Sequence, residues 1–221
     1  MTQRHAVIFD FDGLLVNSEP LWLEAETAIY GELGLQMTEE LSAQTLGMRP
    51  DEAVLHHFQR EPWSGPSPAE ITERLVERVV HLAHGRIQPM PGVARALEMI
   101  RERTGRIAVA SSSPRRVIDG FLRELGLADV FPVVCSAEDE EYGKPHPAVF
   151  LRAASRLAVD PQLCVVFEDA VGGVIAARAA WMGAVVVPHP AQADDPQLAI
   201  AHLCLESLRE LEPAHLDQLG L

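Results

Sequence analysis

Apolar residues occur in two rhythms along this chain. Short unbroken runs, the pattern of strands buried on both faces, stand at Val7-Ile8-Phe9 (continued by Phe11), Ile107 to Ala110, Val130 to Cys135, Leu163 to Phe167 and Ala184 to Val187. Between them apolar positions recur at helical spacing: Val93 to Arg103, with Val93, Leu97 and Ile100 on one face, Pro114 to Leu125 closed by Gly126, Pro147 to about Leu157, and Val171 to Met182. Pro132 hints at an edge strand, because proline cannot donate to a ladder. The C-terminus alternates a short helix, a possible edge strand near Leu203-Leu205 and a final helix. Strict β-α alternation of this kind predicts an α/β fold, a doubly wound, mostly parallel sheet with helices on both faces.

One stretch breaks the alternation. After Gly13 no convincing strand appears between Val16 and Gln88. Asn17 or Ser18 can cap a helix that Pro20 helps start, with Leu21, Ala25, Ala28, Ile29 and Leu33 at helical spacing and Gly34 ending the run. Thr38 opens a second helix, Leu46-Gly47-Met48-Arg49-Pro50 turns, Asp51 to about Gln59 is helical, Glu61 to Pro68 is a loop, and Ala69 to about His84 is a long amphipathic helix. The expectation is an all-helical cap, 17–88, inserted into a core made of 1–16 and 89–221.

Composition narrows the partners. With a formal net charge of -14 and no Lys/Arg block, neither nucleic acid nor an anionic membrane is expected, and no segment approaches the roughly 20 apolar residues of a membrane span. Cys135, Cys164 and Cys204 sit in apolar runs whose spacing matches no metal site, so buried free thiols in a reducing compartment are expected. The first apolar run is short and cut by Asp10, unlike a secretory leader. A cytoplasmic monomer is the expectation.

The strands end in polar groups, and in parallel sheets ligands bind beyond those ends. The first ends in Asp10-Phe11-Asp12, whose carboxylates share a face at i and i+2 and repel unless a cation or a proton lies between them; alternatively they are solvated turn residues. The second ends in Ser111-Ser112-Ser113, a helix cap (Ser113 above all) or an anion site at a helix N-terminus. The fourth ends in Glu168-Asp169, a solvated strand end or, with Asp10 and Asp12, enough hard oxygens for Mg²⁺. Lys144 follows the third strand, either a surface lysine or the local positive charge an acidic protein needs to hold phosphate.

Taken together these residues describe phosphoryl transfer. Asp10 would attack phosphorus and form an aspartyl-phosphate. Mg²⁺ would bring the two anions together. Asp12 would protonate the leaving oxygen and then deprotonate the hydrolytic water. Ser111 and Lys144, with Ser112 beside them, would hold the remaining phosphate oxygens of a small phosphorylated metabolite.

On these residues the chain resembles the haloacid dehalogenase superfamily of phosphohydrolases over essentially its whole length. The Asp-x-Asp-Gly motif stands as Asp10-Phe11-Asp12-Gly13, the serine or threonine looks like Ser111, the lysine like Lys144, and the acidic motif like Glu168-Asp169. The resemblance implies that Asp10, the backbone carbonyl of Asp12, and Asp169 bind magnesium, with Glu168 in or just outside that set. The helical insert resembles the cap of the β-phosphoglucomutase-like branch. The mutases of that branch carry a histidine where this chain has Trp22, which favours phosphatase over hexose-phosphate mutase. The stretches Asp12 to Trp22 and Pro62 to Pro66 look like bacterial phosphatases acting on 2-deoxyglucose 6-phosphate and hexitol phosphates. Asn17, Ser112 and Ala170 depart from the commoner residues but leave the chemistry intact. Candidate readers of the non-phosphate part of the substrate are Glu19, Trp22, Arg49 and Trp63, with cap packing as the alternative for the tryptophans and a carboxylate pair for Arg49. A phospho-accepting receiver domain is the non-enzyme alternative. It fits poorly, because its acceptor closes the third strand, which here ends at Cys135-Ser136.

Overall fold

A computed structural model describes residues 4–221. Six strands, β1 (Ala6–Phe9), β2 (Ile107–Ser111), β3 (Val133–Ser136), β4 (Cys164–Glu168), β5 (Gly183–Val186) and β6 (Leu203–Cys204), form one sheet in the order β3-β2-β1-β4-β5-β6. Every neighbouring pair is parallel. Residues of β1 alternate between two apolar layers: Val7 and Phe9 face one, Ala6 and Ile8 the other. The helices α5 (Val93–Arg103), α6 (Arg115–Glu124) and α9 (Pro213–Leu219) cover the first face, and α7 (Ala148–Leu157) and α8 (Val171–Ala179) the second.

Chain direction through the sheet reverses at β1, which pairs with β2 on one side and β4 on the other. That reversal opens a crevice beyond the carboxyl ends of β1, β2 and β4.

An all-helical cap domain is inserted after β1: α1 (Glu19–Glu32), α2 (Glu39–Ser42), α3 (Pro50–Arg60) and α4 (Pro68–Ala83). A capping box starts α4, where Ser67 Oγ accepts from Glu70 N–H at 3.3 Å and Glu70 Oε2 accepts from Ser67 N–H at 2.8 Å. The outgoing and returning connections are stitched together. Asn17 N–H donates to Gln88 O at 2.9 Å, Met90 N–H donates to Leu15 O at 3.0 Å, and Val16 bridges Pro89.

Several local expectations are corrected. β3 begins three residues after Val130: Phe131 instead packs in the core ahead of Pro132, and β3 is the edge strand that Pro132 suggested. Cys204 lies on the opposite edge and is exposed, whereas Cys135 and Cys164 are buried free thiols. Neither Ser18 nor Ser113 caps its helix through its side chain. Both are drawn into the crevice network instead.

Candidate active site

Asp10 is the first residue past β1 and is buried, 5% exposed, although it carries a carboxyl group. Three strands on in sequence but adjacent in space, β4 ends in Glu168 and is followed by Asp169, which are 1% and 5% exposed. One carboxylate oxygen each from Asp10, Glu168 and Asp169 lies within 4.8 Å of the others. Lys144, on the loop between β3 and α7, enters this cluster, pairing with Asp10 Oδ1 and lying 2.5 Å from Glu168 Oε1. Its ammonium also lies over the Phe150 ring, 4.8 Å from the centroid.

Two glycines make room for this density of charge. Gly13 has φ +73°, and a Cβ there would lie 2.1 Å from Asp169 Oδ2. A Cβ on Gly173, in the first turn of α8, would lie 1.8 Å from Glu168 Oε1. The second glycine was not singled out for function from sequence, although a Gly172-Gly173 pair at a helix start was the available signal.

Electrostatics make the cluster incomplete by itself. Burial pushes the Asp10 carboxyl well above the usual carboxylate range, with Glu168 and Asp12 adding to the rise and Lys144 opposing it. Burial likewise raises Asp169, with further contributions from Glu168, Asp10 and Glu19. Burial works against the Lys144 ammonium, but Asp10 and Glu168 outweigh it and hold the proton more firmly than on a free lysine. Glu168 is well supplied with donors: Oε1 takes Lys144, and Oε2 accepts the N–H groups of Asp169 and Ala170 at 2.9 and 3.1 Å. Asp169 has no ion-pair partner among the described residues. Buried, oxygen-rich and short of positive charge, this donor set suits a hard divalent cation.

Asp12 faces the same crevice under different conditions. Ser18 Oγ donates to its Oδ1 at 2.5 Å, the Trp22 indole N–H donates to Oδ1 at 3.3 Å, and Ser111 Oγ donates to Oδ2 at 3.3 Å. Ser18 and Trp22 come from the cap side and Ser111 from the end of β2. Ser111 Oγ also accepts the Ser113 N–H at 2.9 Å, and Ser136 Oγ donates to Ser113 O at 2.7 Å. Ser113 is therefore a buried spacer that shapes the turn after β2.

Above these groups the cap closes a cavity lined from the core by Asp10, Asp12, Ser111, Ser112 and Asp169, and from the cap by Glu19, Trp22, Glu26, Tyr30, Ser42 and Thr45. Ser112 Oγ donates to Gly47 O across the interface at 2.7 Å. Glu19 lines the cavity and also meets His189, in the loop after β5, at 2.6 Å. Arg49 does not line it. Its guanidinium pairs with Asp51 at 2.7 Å and donates to Glu140 O and Ala137 O at 2.8 and 3.2 Å, fastening the cap to the core loop ahead of Lys144. Trp63 packs inside the cap, 4.7 Å from the Phe58 ring and 5.9 Å from Tyr30, with its N–H on Pro66 O. Sequence reasoning placed Arg49 and Trp63 among the candidate readers and missed Ser18, Glu26, Ser42 and Thr45.

Four strand-end motifs in this order, under a helical lid, can be compared with known proteins. The family model described as haloacid dehalogenase-like hydrolase matches residues 7–187. The chain belongs to that family. A relative named hexitol phosphatase B, from Escherichia coli (strain K12), is 41% identical over 93% of this chain and 93% of its own length. A fructose-1-phosphate phosphatase of the same strain is 33% identical over 85% of this chain and 98% of its own. In fold, β-phosphoglucomutase from Clostridium difficile superposes with a TM-score of 0.86 at 23% identity, covering 99% of this chain and 97% of that one. The haloacid dehalogenase-like core and its cap are therefore shared by phosphatases and a mutase, and the residues inside the crevice must separate them.

Proposed function

We propose that the protein is a Mg²⁺-dependent phosphatase of small sugar or polyol phosphates, working through a phosphorylated Asp10. The observation that carries this is the pairing of two unlike aspartates at one strand end. Asp10 is buried against Lys144, whereas Asp12 is held by three hydrogen-bond donors at the cavity wall. The names of the relatives, a hexitol phosphatase and a fructose-1-phosphate phosphatase, support the substrate class.

Asp10 and Asp169, with the backbone carbonyl of Asp12, would hold the magnesium ion, and Glu168 would serve mainly to hold Lys144. When bound, the ion neutralises the repulsion between an attacking carboxylate and a phosphate dianion and stabilises charge on the transferring group. Asp10 attacks phosphorus, the bond to the sugar oxygen breaks, and Asp12 delivers a proton to that oxygen. Lys144 and the Ser111 hydroxyl hold the non-bridging oxygens; removing such a donor costs on the order of 10²-fold in rate. Asp12, now a carboxylate, takes a proton from the water that cleaves the acyl-phosphate, and Asp10 is restored.

The cap, 17–88, would swing about the paired connections at Val16 and Pro89 to admit substrate and exclude water. A mutase must let its substrate return for a second transfer. Trp22, where mutases carry histidine, can donate a hydrogen bond but has no proton to exchange at neutral pH. The buried free thiols Cys135 and Cys164 favour a reducing compartment such as the cytoplasm.

The test is phosphate release from a panel of sugar and polyol phosphates, with and without Mg²⁺. Release that depends on Mg²⁺ and disappears in Asp10→Asn is expected. No release from any member, or turnover surviving Asp10→Asn, would overturn the assignment.

A further inference from the structure

The cap wall of the cavity is largely apolar, with Leu46, Met48, Pro50, Ala53, Val54 and Leu75; carboxylates and hydroxyls interrupt it, and no lysine or arginine lines it among the described residues. Glu26 stands out on that wall. It lies on α1, is 8% exposed, and meets one hydrogen-bond partner, Ser42 Oγ at 2.6 Å. Tyr30, one helical turn further, shares the wall, as does Thr45, which donates its own hydroxyl to Ser42 O at 3.1 Å. A carboxylate can accept about four hydrogen bonds, so a single serine leaves most of its capacity unused in a residue that lines the cavity. Burial pushes the Glu26 carboxyl above its ordinary range while Ser42 pulls it back, and burial together with Glu26 raises the Tyr30 phenol.

We propose that Glu26, positioned by Ser42, is a specificity residue that accepts hydrogen bonds from the hydroxyls of a neutral polyol chain and rejects a second phosphate at the distal end. This deepens the proposed phosphatase activity and rests on it. A substrate whose reacting phosphate lies at Asp10 extends its other end toward α1. There it meets Glu19 and Glu26. Hydroxyl groups donate to a carboxylate, whereas a distal phosphate, itself an acceptor and an anion, would find repulsion and no cation in that wall. The arrangement selects monophosphates of polyhydroxylated carbon chains over bisphosphates.

The experiment compares kcat and KM of wild type, Glu26→Gln and Ser42→Ala on a hexitol 6-phosphate, on a hexose 1,6-bisphosphate and on p-nitrophenyl phosphate, which has no hydroxyls to read. Wild type is expected to prefer the hexitol monophosphate over the bisphosphate by about tenfold or more in kcat/KM. Glu26→Gln is expected to lower kcat/KM for the hexitol phosphate by roughly 10–100-fold relative to that for p-nitrophenyl phosphate, chiefly through KM, since hydrogen bonds to charged groups contribute about that much. It should also narrow the gap to the bisphosphate. Ser42→Ala should move the same ratios less, and it carries the test if Glu26→Gln does not fold. Equal losses on all three substrates would make Glu26 merely structural. Unchanged ratios in both variants, or equal use of the bisphosphate by wild type, would also overturn the inference. Failure of wild type on every substrate would instead refute the phosphatase activity itself.

Discussion

Asp10 and Asp12 are chemically identical and two positions apart, yet their surroundings differ, which supports the different roles proposed for them. Asp10 is enclosed by Lys144, Glu168 and the sheet. Asp12 is half-buried, at the cavity, under Ser18, Trp22 and Ser111. Asp12→Asn is expected to lower kcat on sugar phosphates by about 10²–10⁴-fold, the usual range for general acid–base catalysis. The loss should be smaller on p-nitrophenyl phosphate, whose leaving group departs with little need of a proton; steady-state rates on the two substrates check this. His57 carries a different consequence. It is buried beside Tyr30, its Nε2 has no partner, and burial, with His56 and Arg60 adding to it, lowers its pKa to about 4. The unfolded chain takes up this proton near pH 6.5, the folded chain only near 4. Between those values the unfolded state binds more protons, so stability is present above pH 6.5 and is lost as pH falls, by on the order of 3 kcal/mol from this one group. Urea unfolding at pH 7.5 and pH 5 should show the loss, and His57→Phe should reduce its pH dependence.

At the scale of elements, the cap and the lysine loop hold each other. Glu52, in the first turn of α3, accepts the Gly143 N–H at 3.0 Å, next to Lys144, and Arg49 holds the carbonyls of Ala137 and Glu140 in the same loop. A second cap–core contact joins Glu73 of α4 to Arg116 of α6 at 2.6 and 2.7 Å, but both groups are exposed, so this pair contributes little. The Glu52–Gly143 bond is thus the cap contact that lies next to Lys144 in the chain. Glu52→Ala is expected to lower kcat by roughly 3–10-fold, a fraction of what one charge-assisted hydrogen bond contributes, because Glu52 acts on Lys144 only through Gly143, with Lys144→Ala costing on the order of 10²-fold or more. Equal kcat in Glu52→Ala and wild type would detach the loop from the cap. Element types were largely legible from periodicity, because continuous apolar runs and helical spacing are local patterns. Boundaries were less so: β3 starts at Val133 because Pro132 has no N–H to offer the ladder, and α8 stops at Ala179, three residues before Met182, where the chain turns through Trp181 at φ +62°.

For the whole molecule, the decisive quantity is the unbalanced negative charge buried at the sheet's carboxyl edge. Asp10, Glu168 and Asp169 converge with Lys144 as their one buried cation among the described residues. A cation that binds the folded state alone stabilises it by mass action. Mg²⁺ is expected to raise the thermal midpoint by a few degrees, and a chelator to abolish both the shift and phosphate release, with Mg²⁺ restoring them. Asp169→Asn should blunt the Mg²⁺-dependent shift, a readout independent of turnover. A midpoint indifferent to Mg²⁺ would remove the cluster as the metal site. No helix of the described residues is long and apolar enough to cross a membrane.

The sequence by itself determined the alternation of elements, the helical insertion and the strand ends that carry Asp10, Asp12, Ser111, Lys144, Glu168 and Asp169. These are local properties: apolar period, glycine and proline punctuation, and a polar group after an apolar run, joined by the general rule that parallel strands share a carboxyl edge. Tertiary structure alone decided what each cap residue faces. Arg49 and Trp63 looked as suited to reading substrate as Trp22 did. Chain packing turned Arg49 toward the carbonyls of the core loop and Trp63 into the cap interior, and left Trp22 on Asp12. It also set Glu26 in the cavity wall: helical spacing places it on a stripe with Trp22 and Tyr30, but only packing shows that this stripe meets the cavity. Which face of a helix meets a cavity depends on how the helix packs against elements distant in sequence, and no local pattern records that.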